Sequence, residues 1–74
     1  MPLTELAVVR MRVPKIDERG RAVAVGTLGA IVHLLPRTPG EPQACIVEIV
    51  LVDERGMQND AILLDVFEEE VELV

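Results

Sequence analysis

Gly26-Thr27-Leu28-Gly29-Ala30-Ile31-Val32-His33-Leu34-Leu35-Pro36 is the stretch whose reading decides the fold. Two glycines three apart open it, an apolar and partly β-branched run follows, and a proline closes it. Glycines at this spacing permit a tight turn and a close approach of backbone to a neighbour. Ala30 to Leu35 then reads as a strand with so little polar content that both of its faces are expected to be covered.

Working outward, Leu6 to Val13 reads as the strand before it. Val9, Met11 and Val13 alternate with Arg10 and Arg12, and Pro14 ends the ladder. Lys15 to Arg21 is a charged loop with Gly20 at a left-handed turn position, and Val23 to Val25 is a short extended piece. Pro36 to Pro42 holds three prolines and a glycine in seven residues, which excludes helix and inner strand and leaves a hairpin tip. Ala44 to Asp53 is the longest strand. Asp53 to Gly56 is a turn in which Gly56 supplies positive φ. Met57 to Val66 is a fourth strand, in which Asn59 and Asp60 mark either a bulge or a late entry. Phe67 to Glu70 suits one 3₁₀ turn, and Val71 to Val74 is a last short strand. The competing reading is a helix over 62–72, because Leu63, Leu64, Phe67 and Val71 have helical spacing.

Five short strands, turn signals between them and at most one 3₁₀ turn predict an all-β chain of one domain over residues 1–74, closed as a small five-stranded barrel. Closure would also remove exposed edges, a hazard for a valine-rich chain. The expected core is Val9, Met11, Val13, Leu28, Ile31, Val47, Ile49, Leu51, Leu63, Val71 and Leu73. It is aliphatic, because Phe67 is the only aromatic residue.

Composition excludes several functions. The net charge of −6 argues against a general nucleic-acid binder. The charge is uneven: residues 1–37 sum to +3 and residues 38–74 to −9. A single cysteine, Cys45, allows no internal disulfide and fits a reducing, cytoplasmic setting. A signal peptide is not expected, and no apolar run is long enough to span a membrane.

No set of residues assembles a chemistry. His33 supplies at most one metal ligand and reads as a structural or surface side chain. Cys45 reads as a small buried hydrophobe. Glu68, Glu69, Glu70 and Glu72 form an acidic edge, but consecutive carboxylates diverge and make a poor cation site. Gly26, Gly29 and Gly56 read as structural turn positions, and Gly26-x-x-Gly29 lacks the Lys-Ser/Thr ending of a phosphate loop. Arg10, Arg12 and Arg21 could form a basic strip, yet stacking aromatics are missing. No enzyme activity, cofactor or metal is therefore expected.

The order of these pieces carries a resemblance. Val8-Val9 with Pro14, Gly26 to Val32, Val47-Glu48-Ile49, Asp53-Glu54-Arg55-Gly56 and Glu70-Val71-Glu72-Leu73-Val74 together resemble a family of small bacterial proteins of unknown function with an SH3-like barrel. The resemblance implies that fold and carries no activity with it. The Gly-x-x-Gly-x-Val stretch also resembles a barrel motif of ribosomal and transcription-elongation proteins, which implies RNA or ribosome contact through Gly26–Val32 and the basic first half. Against that relative, this chain is acidic and nearly free of aromatics.

The reading that results is a non-catalytic protein-binding module, a small accessory or regulatory subunit. Small size and acidity also suit an antitoxin-like member of a two-gene pair, by analogy alone. Both faces of the third and fourth strands are apolar, so one face is expected to meet another protein or a second copy, most simply as a homodimer. The candidate interface is Ile46, Glu48, Val50, Val52, Ile62 and Leu64. The internal alternative is a long strand that coils to feed both sides of one barrel.

Overall fold

The computed structural model describes residues 3–52 and 54–74, with Val52 and Asn59 described in backbone only. Among the described residues the chain is all-β: β1 (Val8–Met11), β2 (Lys15–Ile16), β3 (Ala22–Val23), β4 (Leu28–Leu34), β5 (Ala44–Val52), β6 (Gln58–Phe67), a 3₁₀ turn (Glu68–Glu70) and β7 (Val71–Leu73). The helix over 62–72 does not form. Its apolar residues instead follow the two-residue period of β6, and the expected 3₁₀ turn follows at Glu68–Glu70. The predicted end of the long strand and start of its turn, Asp53, lies outside the described residues.

Five strands make one antiparallel sheet in the order β6-β5-β4-β1-β7, and β2 pairs with β3 as a separate hairpin. The expected closure is corrected here: β6 and β7 are the two ends of the sheet and do not pair, so the ladder is open. The charged loop also contains more structure than the sequence reading gave it. Asp17 accepts the amides of Arg19 and Arg21, and Gly20 takes φ +81° to turn the chain back. That pulls Lys15–Ile16 and Ala22–Val23 into register.

The glycine-led stretch performs two separate tasks. Gly26 adopts φ +90° and makes the turn into β4. Gly29, expected at the turn, lies instead inside β4 and faces the core opposite Val9, where a Cβ would stand 2.6 Å from Val47 Cγ1 and 3.0 Å from the Glu48 carbonyl oxygen. Its absent side chain lets β4 lie close against β5. Leu28 is thereby turned outward, paired across the ladder with Arg10, and the core assignment of Leu28 is corrected to an exposed position.

Two bulges set the phase of the long strands. Ile31 pairs with Val47 and His33 with Ile46, so Val32 is an extra residue on β4, and both Val32 and His33 reach solvent. The expectation that both faces of this strand are covered therefore fails at its second half. Leu51 pairs with Asp60 and Val52 with Gln58, which places the other bulge at Asn59, as its sequence suggested. From there Glu48 pairs with Leu63 and Val47 with Leu64. Directly paired residues share a face, so a buried Val47 draws Leu64 inward and sends Leu63 out.

The core follows from this register. Val9 and Met11 from β1, Ile31 from β4, and Cys45, Val47 and Ile49 from β5 meet Ile62, Leu64 and Val66 from β6, with Val23 and Val71 closing the ends. Leu51 and Leu73 pack against it from its margin, and Val13 is half-buried. The second core correction is Leu63, which is 58% exposed, while Ile62 and Leu64 take its place.

Candidate functional site

The outward face of the sheet is built by the residues that the core leaves behind. Val8, Leu28, Val50 and Leu63 stand exposed on four adjacent strands, with Ala30, Ile46 and Ala61 half-buried between them. Glu48 lies half-buried in the same row as Val8, Ala30 and Leu63. The strand alternation that buries Val47 and Ile49 is what presents Ile46, Glu48 and Val50 on this side.

Of the six residues expected at an interface, Ile46, Glu48 and Val50 therefore lie on the outer face. Ile62 and Leu64 do not: each is 3% exposed and part of the core, so neither offers area to a partner. Val8, Leu28 and Leu63 belong to the face instead. The Val52 side chain lies outside the described residues. The sequence signal for Val8 was present in the alternation about Arg10, but only the pairing of β1 with β4 brings Leu28 beside it.

The acidic edge divides into structural and free carboxylates. Glu70 turns back: its Oε1 accepts the Phe67 amide at 2.9 Å and its Oε2 lies 3.1 Å from Lys15 Nζ. The Phe67 amide and the Lys15 ammonium hold its carboxyl below the ordinary value against the opposing effect of burial. Glu72 pairs with Arg10 at 3.4 Å across the β1–β7 ladder. Glu68 and Glu69 remain exposed beside a shallow apolar groove formed by Leu3, Val71 and Leu73. Among the described residues no group of three or more acidic, histidine or cysteine side chains converges as a cation site.

A second cluster joins the β2–β3 hairpin to β6. Arg21 Nε donates to Asp17 Oδ2 at 2.7 Å, and Nη1 donates to Asp60 Oδ2 at 2.7 Å. Burial works to raise the Asp17 pKa, but the bonds from Arg21 and the Arg19 amide outweigh it and leave the carboxyl below its ordinary value. Asp60 is lowered first by the Ala61 amide and then by Arg21. The guanidinium is raised in turn, chiefly by its bond to Asp17. The sequence held the Asp17-to-Arg21 spacing, but nothing in it paired Arg21 with a residue 39 positions away.

This clamp dismantles the expected basic strip. Arg10 and Arg21 are each engaged with carboxylates on different parts of the surface. His33 is exposed, with Nδ1 3.9 Å from Glu5. Cys45 is fully buried, and burial pushes its thiol pKa up, as for a small core hydrophobe. Among the described residues no helix is long and apolar enough to cross a membrane.

Compared with known proteins, the chain matches no family model, no curated protein and no solved structure.

Proposed function

We propose that this chain is a non-catalytic protein-binding module of SH3-like build that acts as a small accessory or regulatory subunit. The observation that carries the reading is the outer sheet face, where Val8, Leu28, Val50 and Leu63 are between 47% and 58% exposed on four neighbouring strands. Apolar side chains gathered this way on a soluble surface mark a contact with another protein. The simplest occupant is a second copy of the chain, since two-fold homodimers are the commonest assembly.

The SH3-like reading is supported by element order. A hairpin interrupts the first two sheet strands, three long strands form a meander, and a 3₁₀ turn leads into a short last strand beside the first. That agrees with the family resemblance of the glycine-led stretch. The alternative, an RNA- or ribosome-associated barrel, has less support, because Lys15, Arg10 and Arg21 are already paired with carboxylates.

Sedimentation tests the proposal. The wild-type chain is expected to associate at roughly micromolar concentration, the weak end of the range that interfaces of ordinary size span. Val50→Glu is expected to return it to a monomer with an unchanged circular-dichroism spectrum. A wild type that sediments as a monomer removes the self-association, and a Val50→Glu variant that still associates puts the contact elsewhere.

A further inference from the structure

The open edge of β6 has a specific shape. The Glu68 amide donates to the Gln43 carbonyl at 2.9 Å, which fixes the phase of the ladder. Cys45 with Val66, Val47 with Leu64 and Ile49 with Ile62 are then the pairs that exchange main-chain bonds. Ala61, Leu63, Asp65 and Phe67 consequently turn their N–H and C=O groups to the free side.

The two ends of that row are closed by the protein itself. The Ala61 amide donates to Asp60 Oδ1 at 2.7 Å, and Arg21 Nη2 lies 3.5 Å from the Ala61 carbonyl. The Phe67 amide donates to Glu70 Oε1. Between them, Leu63 and Asp65 face no main-chain partner among the described residues. The β2–β3 hairpin is moored at the same two ends, by Arg21 to Asp60 and by Lys15 to Glu70. It therefore spans the middle of the edge without pairing to it. The space enclosed is a groove of about 480 Å³ whose apolar lining includes Ile16, Ile46 and Leu63. Asp65 and Glu18 stand in its lining with no cation within salt-bridge distance among the described residues, whereas its other acids, Asp17 and Asp60, are paired.

We propose that this groove receives an extended, lysine- or arginine-bearing segment of a partner protein, added as a strand to β6 between it and the hairpin. The site goes beyond the outer-face contact, with which it shares Ile46 and Leu63, and does not depend on it, since it would operate in a monomer. Unpaired edge groups supply the main-chain bonds in such strand addition, and side-chain pockets on alternate residues supply selectivity. Here Ile16 and Leu63 take the apolar side chain of the incoming segment, and Asp65 with Glu18 takes its cation. The ionic ties at Lys15 and Arg21 hold the groove open before the segment arrives, which lowers the ordering cost of binding.

The test is an amide-resolved NMR titration of the intact chain with the probe acetyl-Thr-Val-Thr-Lys-Thr-amide, whose Val and Lys lie two residues apart and share a face, as Leu63 and Asp65 do. Saturable shifts and slowed hydrogen exchange are expected at Leu63 and Asp65, while the already bonded amides of Ile62 and Leu64 change little. The acidic probe acetyl-Thr-Val-Thr-Glu-Thr-amide is expected to bind at least about tenfold more weakly, and Asp65→Lys is expected to reverse that order. Leu63→Pro removes a donor that β5 does not use, so it should abolish binding; Asp65→Lys carries the test should that variant unfold. No response at Leu63 and Asp65, or equal response to both probes, overturns the proposal. So does protection that appears without probe and grows with protein concentration, because the edge then pairs with a second copy. Sedimentation of the same samples reads the outer-face contact separately.

Discussion

Of the five glycines, Gly29 alone stands against packed neighbours. Its backbone is ordinary extended chain, and what it provides is room against Val47 and the Glu48 carbonyl. Gly29→Ala should cost about 1–3 kcal/mol, as overpacking does where the neighbours are stiff β-branched side chains and backbone. The measurement is the urea midpoint, and an unchanged value would mean that β4 and β5 separate freely. Ile31, fully buried, tests the opposite direction: Ile31→Ala should cost about 2–5 kcal/mol through lost contacts and a cavity. Cys45 gives a third reading at this scale. With no exposed area and a raised pKa, its thiol should react with an aromatic disulfide reagent only as fast as the chain unfolds. Rapid labelling of the native protein would contradict its place in the core. The burial of Cys45 and Ile31 was legible from their neighbours in sequence. The outward turn of Leu28 was not, because it depends on Gly29 meeting β5.

The β2–β3 hairpin shows how far local signals reach. Asp17, Gly20 and Arg21 make the turn by themselves, since Asp17 accepts amides two and four residues on. Its attachment to β6 depends on ionised carboxylates at Asp17, Asp60 and Glu70, all held below their ordinary values of 3.8, 3.8 and 4.5. A carboxyl whose folded pKa is depressed stabilises the fold above its unfolded pKa, and that contribution disappears as pH falls through the folded value. Stability should therefore drop as the solution is taken below about pH 4.5. Amide exchange in residues 15–23 should rise before the β5–β6 ladder loosens. Asp60→Asn should loosen the same residues at neutral pH while β5 and β6 stay protected. If acid instead releases every amide together, the hairpin is not moored in the way described.

Charge and shape act on the molecule as a whole. The net charge is −6, and the basic residues Arg10, Lys15 and Arg21 are each paired with a carboxylate. Non-specific RNA binding should accordingly be weaker than the roughly 10⁻⁴–10⁻⁶ M usual at physiological salt. A micromolar, steeply salt-dependent shift with a random RNA would overturn this and would favour the ribosome-associated reading. The molecule measures 44 × 23 × 19 Å. Ten residues of β6 span about 33 Å, so the β5–β6 ladder sets most of that length. An elongated, open-edged sheet leaves both a face and an edge available, which a closed barrel of the same sequence would not.

Sequence by itself determined the all-β class, the order of the long strands, the turns at Gly26 and Gly56 and the 3₁₀ turn, because each rests on local backbone preference or a two-residue period. It marked Asn59 and Asp60 as a bulge or a late entry, and the register made it a bulge at Asn59. It did not determine which side of β6 is the core, since Ile62, Leu64 and Val66 compete with Ala61 and Leu63 on apolar content alone. Tertiary structure decided that through register: once Val47 is buried opposite Leu64, every residue of β6 is assigned a face. It likewise decided that the sheet stays open, that Arg21 joins residues far apart in the chain, and that Leu63 and Asp65 face an unfilled groove. Those are properties of distance between strands, and pairing across the chain carries no signal in the spacing of residues along it.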